Sequence, residues 1–341
     1  MKNKIIKTHY KILIALVLLF PILFFISMNA GYTRIGFSEI LHILAGRGSI
    51  KDNIVVFQFR LPRIIIAMLV GAGFSLSGCI LQGLTKNPLA DPGLMGINAG
   101  AGIVVLIFMT LSGTMTMGKM ISLPIFSLIG ALITGSMIYI LSNRKSYGIS
   151  PIRLVLNGVA IQAGINAAMT LLILKLDDTQ AEFLTAWQSG SIWNSTWKSA
   201  IALFPWILVG FLILIFMARK MDVLVMGDEL SKGLGVAVVK EKRKLLFLAV
   251  ALAAACVAIS GNINFVGLIA PHLSRRLVGA RHKILLPVCA LVGATLVLGA
   301  DIIARTVMEP AEIPTGIVVS VIGAPYFIFL LVKNRKAAGN K

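Results

Sequence analysis

Long apolar stretches separated by short polar segments run along almost the whole chain. A transmembrane helix needs about 20 predominantly apolar residues, so each stretch near that length predicts one membrane span. One further stretch is short and is interrupted by Pro271, and we count it as an eighth, irregular span. The pattern predicts ten spans, at Ile12–Met28, Ile64–Leu84, Leu94–Leu111, Ile121–Leu141, Leu154–Leu174, Ala200–Ala218, Leu245–Ser260, Asn264–Gly279, Ile284–Ile303 and Thr315–Val332.

The eighth span, Asn264–Gly279, is too short and too broken for an ordinary transmembrane helix. Irregular backbone at membrane depth persists only where neighbouring protein or a water-filled cavity satisfies its polar groups. We therefore expect this segment to be buried within the helix bundle.

The composition supports a membrane protein. Hydrophobic residues make up 57% of the 341-residue chain and charged residues only 13%, against about 45–50% and about 25% in soluble domains. These values exclude an ordinary soluble enzyme, a disordered chain and a disulfide scaffold. The predicted fold class is all-α: a polytopic membrane protein of about ten transmembrane helices, with residues 1–341 forming one transmembrane domain.

Residue types with catalytic or metal-binding chemistry are sparse. The three cysteines share no metal or redox spacing, and the four histidines form no close pair, so we expect no metal site in this chain. The sequence also lacks a complete nucleotide-binding motif, a paired-carboxylate motif and a Cys–His constellation. We therefore expect a non-enzymatic chain that binds no cofactor of its own.

The net charge of +19 is unevenly distributed. With ten spans both termini lie on one side of the membrane, and 23 of the 32 lysines and arginines fall on that side. Lysine and arginine are enriched on the cytoplasmic side of membrane proteins. The distribution therefore predicts a cytoplasmic N-terminal segment 1–11 and a cytoplasmic tail 333–341, and it explains the basic composition without nucleic acid as a partner.

The largest predicted cytoplasmic loop, residues 226–244, combines short helical segments with glycines. Leu230, Leu234, Val238 and Val239 can form one apolar stripe, which a connector facing water does not need. The stripe fits a helix that docks onto a cytoplasmic partner. It fits equally well an amphipathic helix that lies on the lipid surface.

The fifth span carries Gln162, Asn166 and Thr170 at intervals of four residues. This spacing places the three side chains on one helix face. Because buried amides are unfavourable in lipid, we expect this face to point into the bundle. There it either lines a polar pathway or joins helices by hydrogen bonds.

Charged residues also lie near the predicted outer ends of two spans. Asp301 and Arg305 are four residues apart and can pair on one helix face. Arg60 and Arg63 flank the start of the second span. The arginines are either interfacial anchors or a cationic patch for an acidic partner outside the membrane.

A short motif, Leu-Val-Gly-Ala, occurs at 69–72 and again at 291–294. Transporters often contain internal repeats. Spans share a small alphabet, however, so compositional coincidence is the favoured interpretation and no repeat is inferred.

Several stretches, taken together and in order, resemble one known family. The chain is similar to the FecCD-type permease subunits of binding-protein-dependent ABC importers for ferric siderophores, haem and cobalamin. The resemblance covers nearly the whole chain and rests on Arg60–Gly102, Leu156–Gly164, Trp187–Trp197, Met226–Val236, Gly261–Gly279 and Leu298–Lys333.

The resemblance implies an assembly. Permeases of this family have ten helices, and two of them, identical or paralogous, flank a central pathway. Two cytoplasmic ATPase subunits use ATP and magnesium below them, and an extracellular substrate-binding protein delivers the substrate. A subunit of this kind resides in the bacterial cytoplasmic membrane, in contact with lipid, and an iron–siderophore complex is the expected substrate, with haem or cobalamin as alternatives.

The resemblance also assigns roles to matching residues. It implies that Arg60, Arg63 and Arg305 meet acidic groups of the binding protein. It implies that Gln162, Asn166 and Thr170 line the pathway. The implied ATPase-coupling loop includes Gly227, Asp228, Glu229, Leu230, Gly233, Leu234 and Gly235.

Two other functional classes are less well supported by the sequence. An ion-driven secondary transporter usually carries acidic residues or histidines inside the membrane. Only Asp301 lies within a predicted span, near its end and beside Arg305. An intramembrane enzyme needs a catalytic pair on facing spans, and the sequence suggests none.

Overall fold

The computed structural model describes residues 2–31, 35–93, 95–112, 117–144, 148–193 and 195–339. These residues are almost entirely helical. Two short strands, β1 Asn143–Arg144 and β2 Gly148–Ile149, pair antiparallel. The helices are α1 Lys2–Asn29, α2 Phe37–Leu44, α3 Ile50–Asn53, a π-helical segment Ile54–Arg60, α4 Leu61–Thr85, α5 Ile97–Ser112, α6 Met117–Ser142, α7 Pro151–Ile173, α8 Asp178–Gln188, α9 Trp197–Val225, α10 Asp228–Gly233, α11 Val238–Ser260, α12 Val266–Val278, α13 His282–Thr306 and α14 Thr315–Gly339.

Each of the ten predicted spans corresponds to a helix. Within the described residues, eight helical segments are long and apolar enough to cross a membrane. The helices of the third and eighth spans are shorter, because α5 has 16 residues and α12 has 13. The all-helical membrane fold is therefore confirmed, whereas a count of ten crossings is not. Leu94, the predicted start of the third span, lies outside the described residues, as do Met1 and the last two residues of the tail.

Helices α4, α11 and α13 form the centre of the bundle and contribute much of its apolar core. At the crossing of α4 and α13, a Cβ atom added to Gly71 would lie 2.2 Å from the carbonyl oxygen of Gly293. A Cβ atom added to Gly293 would lie 2.3 Å from the carbonyl oxygen of Gly71. Only glycine permits this approach of the two backbones. The two Leu-Val-Gly-Ala motifs therefore contact each other.

The connection between α4 and α5 turns back into the bundle. Gly267 of α12 contacts both Gly78 of α4 and Pro92 of this connection. Gly78 lies seven residues before the end of α4, which is about 10 Å along the helix axis. The connection and the start of α12 therefore meet at depth.

The eighth predicted span is buried, as expected. Val266 and Leu268 are fully enclosed, and Ile263 in the irregular segment before α12 is buried as well. Asn98 of α5 donates through Nδ2 to the side-chain oxygens of Asn262 and Asn264. Two polar side chains of the irregular segment are thus satisfied by neighbouring protein.

Loops on the predicted outer side contain helices that were not predicted. They are α2, α3 and the π-helical segment, between the first and second spans, and α8, between the fifth and sixth. The backbone N–H of Gln180 donates to the side chain of Asp177 at 2.8 Å, an N-cap bond that begins α8. Helix α2 contacts α1, and α8 contacts α5.

Candidate functional site

Three regions contain the residues singled out from the sequence. We call the first the outer ionic cluster: Arg60, Arg63, Asp301, Arg305 and Glu312. It joins the start of α4, the end of α13 and the connection between α13 and α14. The second region is α10 with its surroundings. The third is the polar stripe of α7: Gln162, Asn166 and Thr170.

Asp301 is the centre of the outer ionic cluster. Its carboxylate is fully buried and lies 2.9 Å from Nη2 of Arg63. On the other side Nε of Arg305 lies 3.1 Å from Asp301 Oδ2, so the predicted pair within α13 is confirmed. That second contact is an ion pair without the geometry of a hydrogen bond. Thr315 Oγ1 donates to the same carboxylate at 3.4 Å.

The cluster also holds the end of α1. Arg305 Nη1 donates to the backbone carbonyl oxygens of Ser27 and Ala30 at 3.3 and 3.1 Å. Arg60 Nη1 donates to the carbonyl oxygen of Met28. The last carbonyl groups of a helix have no partner within the helix and carry partial negative charge. The two guanidinium groups therefore act as a C-terminal cap for α1.

All three arginines of the outer ionic cluster are buried in this subunit, with exposures of 5–8%. They are held by carboxylates and carbonyl groups of the same chain. They are therefore not a freely exposed cationic patch in the isolated subunit. Their contact with an acidic partner remains a prediction, and it requires some of these internal contacts to open.

Helix α10 is fixed to the bundle by polar contacts at its start. Lys242 Nζ of α11 donates to both carboxylate oxygens of Asp228, each at 2.7 Å. Ser231 Oγ bonds to the carbonyl oxygens of Val223 and Gly227, at 2.9 and 2.6 Å. Gly227 has φ of +123°, a conformation that other residues rarely adopt. The sequence thus builds a sharp turn that sets α10 against α9 and α11.

The predicted apolar stripe of the loop 226–244 is divided. Leu230 and Leu234 are 62% and 65% exposed. Val238 is instead buried in the core and Val239 is again exposed, because α11 begins at Val238 with a new direction. The prediction of one continuous stripe was therefore wrong, and Leu230 and Leu234 are the two residues of the stripe that remain exposed together on α10 and its C-cap. Glu229, Gly233 and Gly235 are exposed beside it.

A further contact near α10 was missed from the sequence. Asp222, near the end of α9, accepts from the backbone N–H of His282 at 2.9 Å, and the same oxygen lies 2.7 Å from Nδ1. His282 is the first residue of α13. This pair fixes the end of α9 to the start of α13. Because the two residues are 60 positions apart, only the packed fold brings them together.

The polar stripe of α7 does not point into the bundle of this subunit, so that expectation was wrong. Asn166 and Thr170 are exposed, and Gln162 is half-buried against Gly96. Thr170 Oγ1 donates to the carbonyl oxygen of Asn166 in the same helix. Helix α7 is among the least buried of the membrane-length helices. Because exposed amides are unfavourable in lipid, this face is suited to water or to another protein.

Metal-binding chemistry is absent from the part of the chain that the structure describes. Within it, no group of three or more histidine, cysteine, aspartate or glutamate side chains is placed to hold a metal ion.

Comparisons with known proteins identify the family of the chain. The model of the FecCD transport family matches residues 18–333. The iron(3+)-hydroxamate import system permease protein FhuG of Bacillus subtilis is 46% identical over 93% of this chain and 95% of its own length. The hemin transport system permease protein HmuU of Yersinia pestis is 40% identical over 82% of this chain and 83% of its own.

A solved structure has the same fold. The inward-facing conformation of a putative metal-chelate type ABC transporter superposes with a TM-score of 0.83 and 33% sequence identity. The match covers 95% of this chain and 99% of the other. With a family model matched over nearly its whole length and relatives of this similarity, the chain belongs to the FecCD transport family.

Proposed function

We propose that this chain is the permease subunit of an ATP-driven importer that carries an iron–siderophore complex across the bacterial cytoplasmic membrane. The observation that carries the proposal is the near full-length similarity to an iron(3+)-hydroxamate permease. The geometry agrees with it, because the subunit has an uncovered polar face and two anchored contact regions at opposite ends.

The translocation pathway is proposed to run along α7. Gln162, Asn166 and Thr170 present amide and hydroxyl groups on the side of the subunit that its own helices leave uncovered. A second permease, identical or paralogous, would enclose this face. A large chelate needs a wide passage that interacts weakly with it, and a stripe without charged groups suits that requirement.

Coupling to two cytoplasmic ATPase subunits is assigned to α10. Leu230 and Leu234 form an exposed apolar pair on a short helix, and the pair of Asp228 with Lys242 ties that helix to α11. A contact surface fixed in this way can pass the motion of an ATPase to the bundle. The ATPase subunits, rather than this chain, bind ATP and magnesium and hydrolyse the nucleotide.

The orientation follows from the charge distribution, which supports cytoplasmic termini and an extracellular position for the outer ionic cluster. An extracellular binding protein is proposed to dock at Arg60, Arg63 and Arg305. The positive charge of the cluster suits an acidic partner surface.

Haem is the second candidate substrate, because a relative at 40% identity is named a hemin permease. Cobalamin stays an alternative from the family resemblance alone. An ion-coupled mechanism has less support, since the buried Asp301 is engaged by Arg63 and Arg305.

The test is uptake by cells with and without this gene, with the ATPase gene intact. Cells receive radiolabelled iron as ferric hydroxamates, as ferric citrate and as haem, and labelled cobalamin in parallel. We expect loss of uptake for a ferric siderophore and recovery with a plasmid copy. Loss of uptake for haem or cobalamin alone would identify that compound, instead of a ferric siderophore, as the substrate. Unchanged uptake of every compound, in a strain without related permeases, would contradict the proposal.

A further inference from the structure

Glu312 occupies one side of the predicted docking residue Arg63. Its two carboxylate oxygens lie 3.2 and 2.9 Å from Nη1 of Arg63. The opposite side of the same guanidinium group contacts Asp301 through Nε and Nη2. Arg63 is therefore held by two carboxylates of its own chain.

The two carboxylates differ in how firmly they are held. The Asp301 side chain is fully buried between two arginines, whereas the Glu312 side chain is 31% exposed. Glu312 lies in the connection between α13 and α14, beside the exposed residues Val307, Met308 and Glu309. Glu312 can therefore swing away from Arg63 into water, and Asp301 cannot.

We propose that Glu312 is an internal competitor that occupies the place of an acidic side chain of the binding protein. The inference rests on the proposed docking role of the outer ionic cluster. Docking then exchanges one carboxylate for another at Nη1 of Arg63 instead of adding a new ion pair. The free energy of docking at this position is the difference between the two contacts, which permits release of the binding protein after delivery.

The competition has a measurable consequence. Three arginines face two carboxylates in the cluster, and neutralising Glu312 raises its net charge by one unit. It also leaves Arg63 Nη1 without its exposed partner. Exposed and half-exposed ion pairs contribute modestly and are screened by salt. We therefore expect Glu312→Gln to tighten binding about two- to fivefold at low ionic strength, with a smaller gain at high salt.

The chain offers a matched control in Glu309, an exposed carboxylate in the same connection that forms no ion pair with any residue the structure describes. Glu309→Gln removes the same charge from the same surface. The complete importer in nanodiscs is titrated with its substrate-binding protein at several salt concentrations. A gain in affinity for the binding protein that is confined to Glu312→Gln supports competition. An equal gain in both variants would show that only the net charge matters, and it would overturn the inference.

A second experiment uses this chain without the binding protein. Phenylglyoxal modifies accessible guanidinium groups, and mass spectrometry reports the rate at Arg63. We expect Glu312→Gln to raise this rate several-fold and Glu309→Gln to leave it unchanged. An unchanged rate for Glu312→Gln, or weaker docking of that variant, would overturn the inference. Absence of docking by the wild-type importer would instead contradict the proposed function, while the labelling result would still report whether Glu312 covers Arg63.

Discussion

At the scale of single residues, Asp301 holds together the predicted outer end of the bundle. Its fully buried carboxylate separates the guanidinium groups of Arg63 and Arg305, which otherwise repel each other. Removal of one member of a buried ionic group leaves uncompensated charge and is strongly destabilising. The same carboxylate thereby holds α4 against α13 and, through Arg305, the end of α1.

Asp301→Asn keeps the shape of the side chain and removes its charge. We expect the free energy of unfolding to fall by about 3–5 kcal/mol, since two buried cations lose their common counter-ion. Thermal unfolding of the purified chain in detergent measures the change. Glu309→Gln is the control for loss of one surface carboxylate, and it should change stability by less than about 0.5 kcal/mol. If Asp301→Asn and the wild type have the same melting temperature, the cluster does not stabilise the fold.

At the scale of elements, α10 is a short helix whose leucine side chains lie outside the apolar core. The pair of Lys242 with Asp228 fixes its first turn, while Leu230 and Leu234 remain outside the bundle. Substitution of an exposed leucine removes little buried apolar surface, so the fold of the subunit tolerates it. This separation allows the proposed coupling surface to be altered without loss of the fold.

Leu234→Glu tests that surface. We expect normal expression and a loss of transport of about tenfold or more, because a charge in an apolar contact is desolvated without a partner. Substrate uptake and ATP hydrolysis stimulated by the binding protein are measured together in proteoliposomes. Val239→Glu changes another exposed apolar residue of the same loop, outside α10, and should leave transport largely intact. Full stimulation of ATP hydrolysis in Leu234→Glu would exclude α10 as the coupling element.

The helices of the spans could be predicted because the apolar length of a span is a local property of the sequence. The contacts between elements could not. The stripe Leu230–Val239 was divided by the turn before α11, which the apolar spacing does not reveal. The repeated Leu-Val-Gly-Ala motif gave no reason to place Gly71 against Gly293, and Asp222 and His282 meet only after α9 and α13 pack. The available signals of contacts between elements were glycine positions and isolated charges within spans. Each predicts a contact only when its partner is known, and periodicity does not identify that partner.

At the scale of the whole molecule, the subunit is one-sided. Helices α4, α11 and α13 are enclosed, whereas α7 leaves Asn166 and Thr170 uncovered. Amide groups on a lipid-facing surface lack hydrogen-bond partners, whereas water or a second subunit supplies them. The expectation that this stripe points into the bundle was wrong, and an exposed polar face on one subunit fits the proposed pathway enclosed by a second permease.

Cysteine accessibility distinguishes a water-lined pathway from lipid at this face. The three native cysteines are fully buried, so an introduced thiol reports its own position. In the complete importer we expect Asn166→Cys to react with a charged, water-soluble maleimide. Ile133→Cys on α6, an exposed apolar position, should remain unreactive because lipid excludes the reagent. The reactivity of Asn166→Cys should also change when vanadate traps the ATPase subunits, since alternating access opens the pathway to one side at a time. Equal protection of both positions in every state would place α7 in lipid or in a dry subunit contact, and the pathway would then have to follow another face of the bundle.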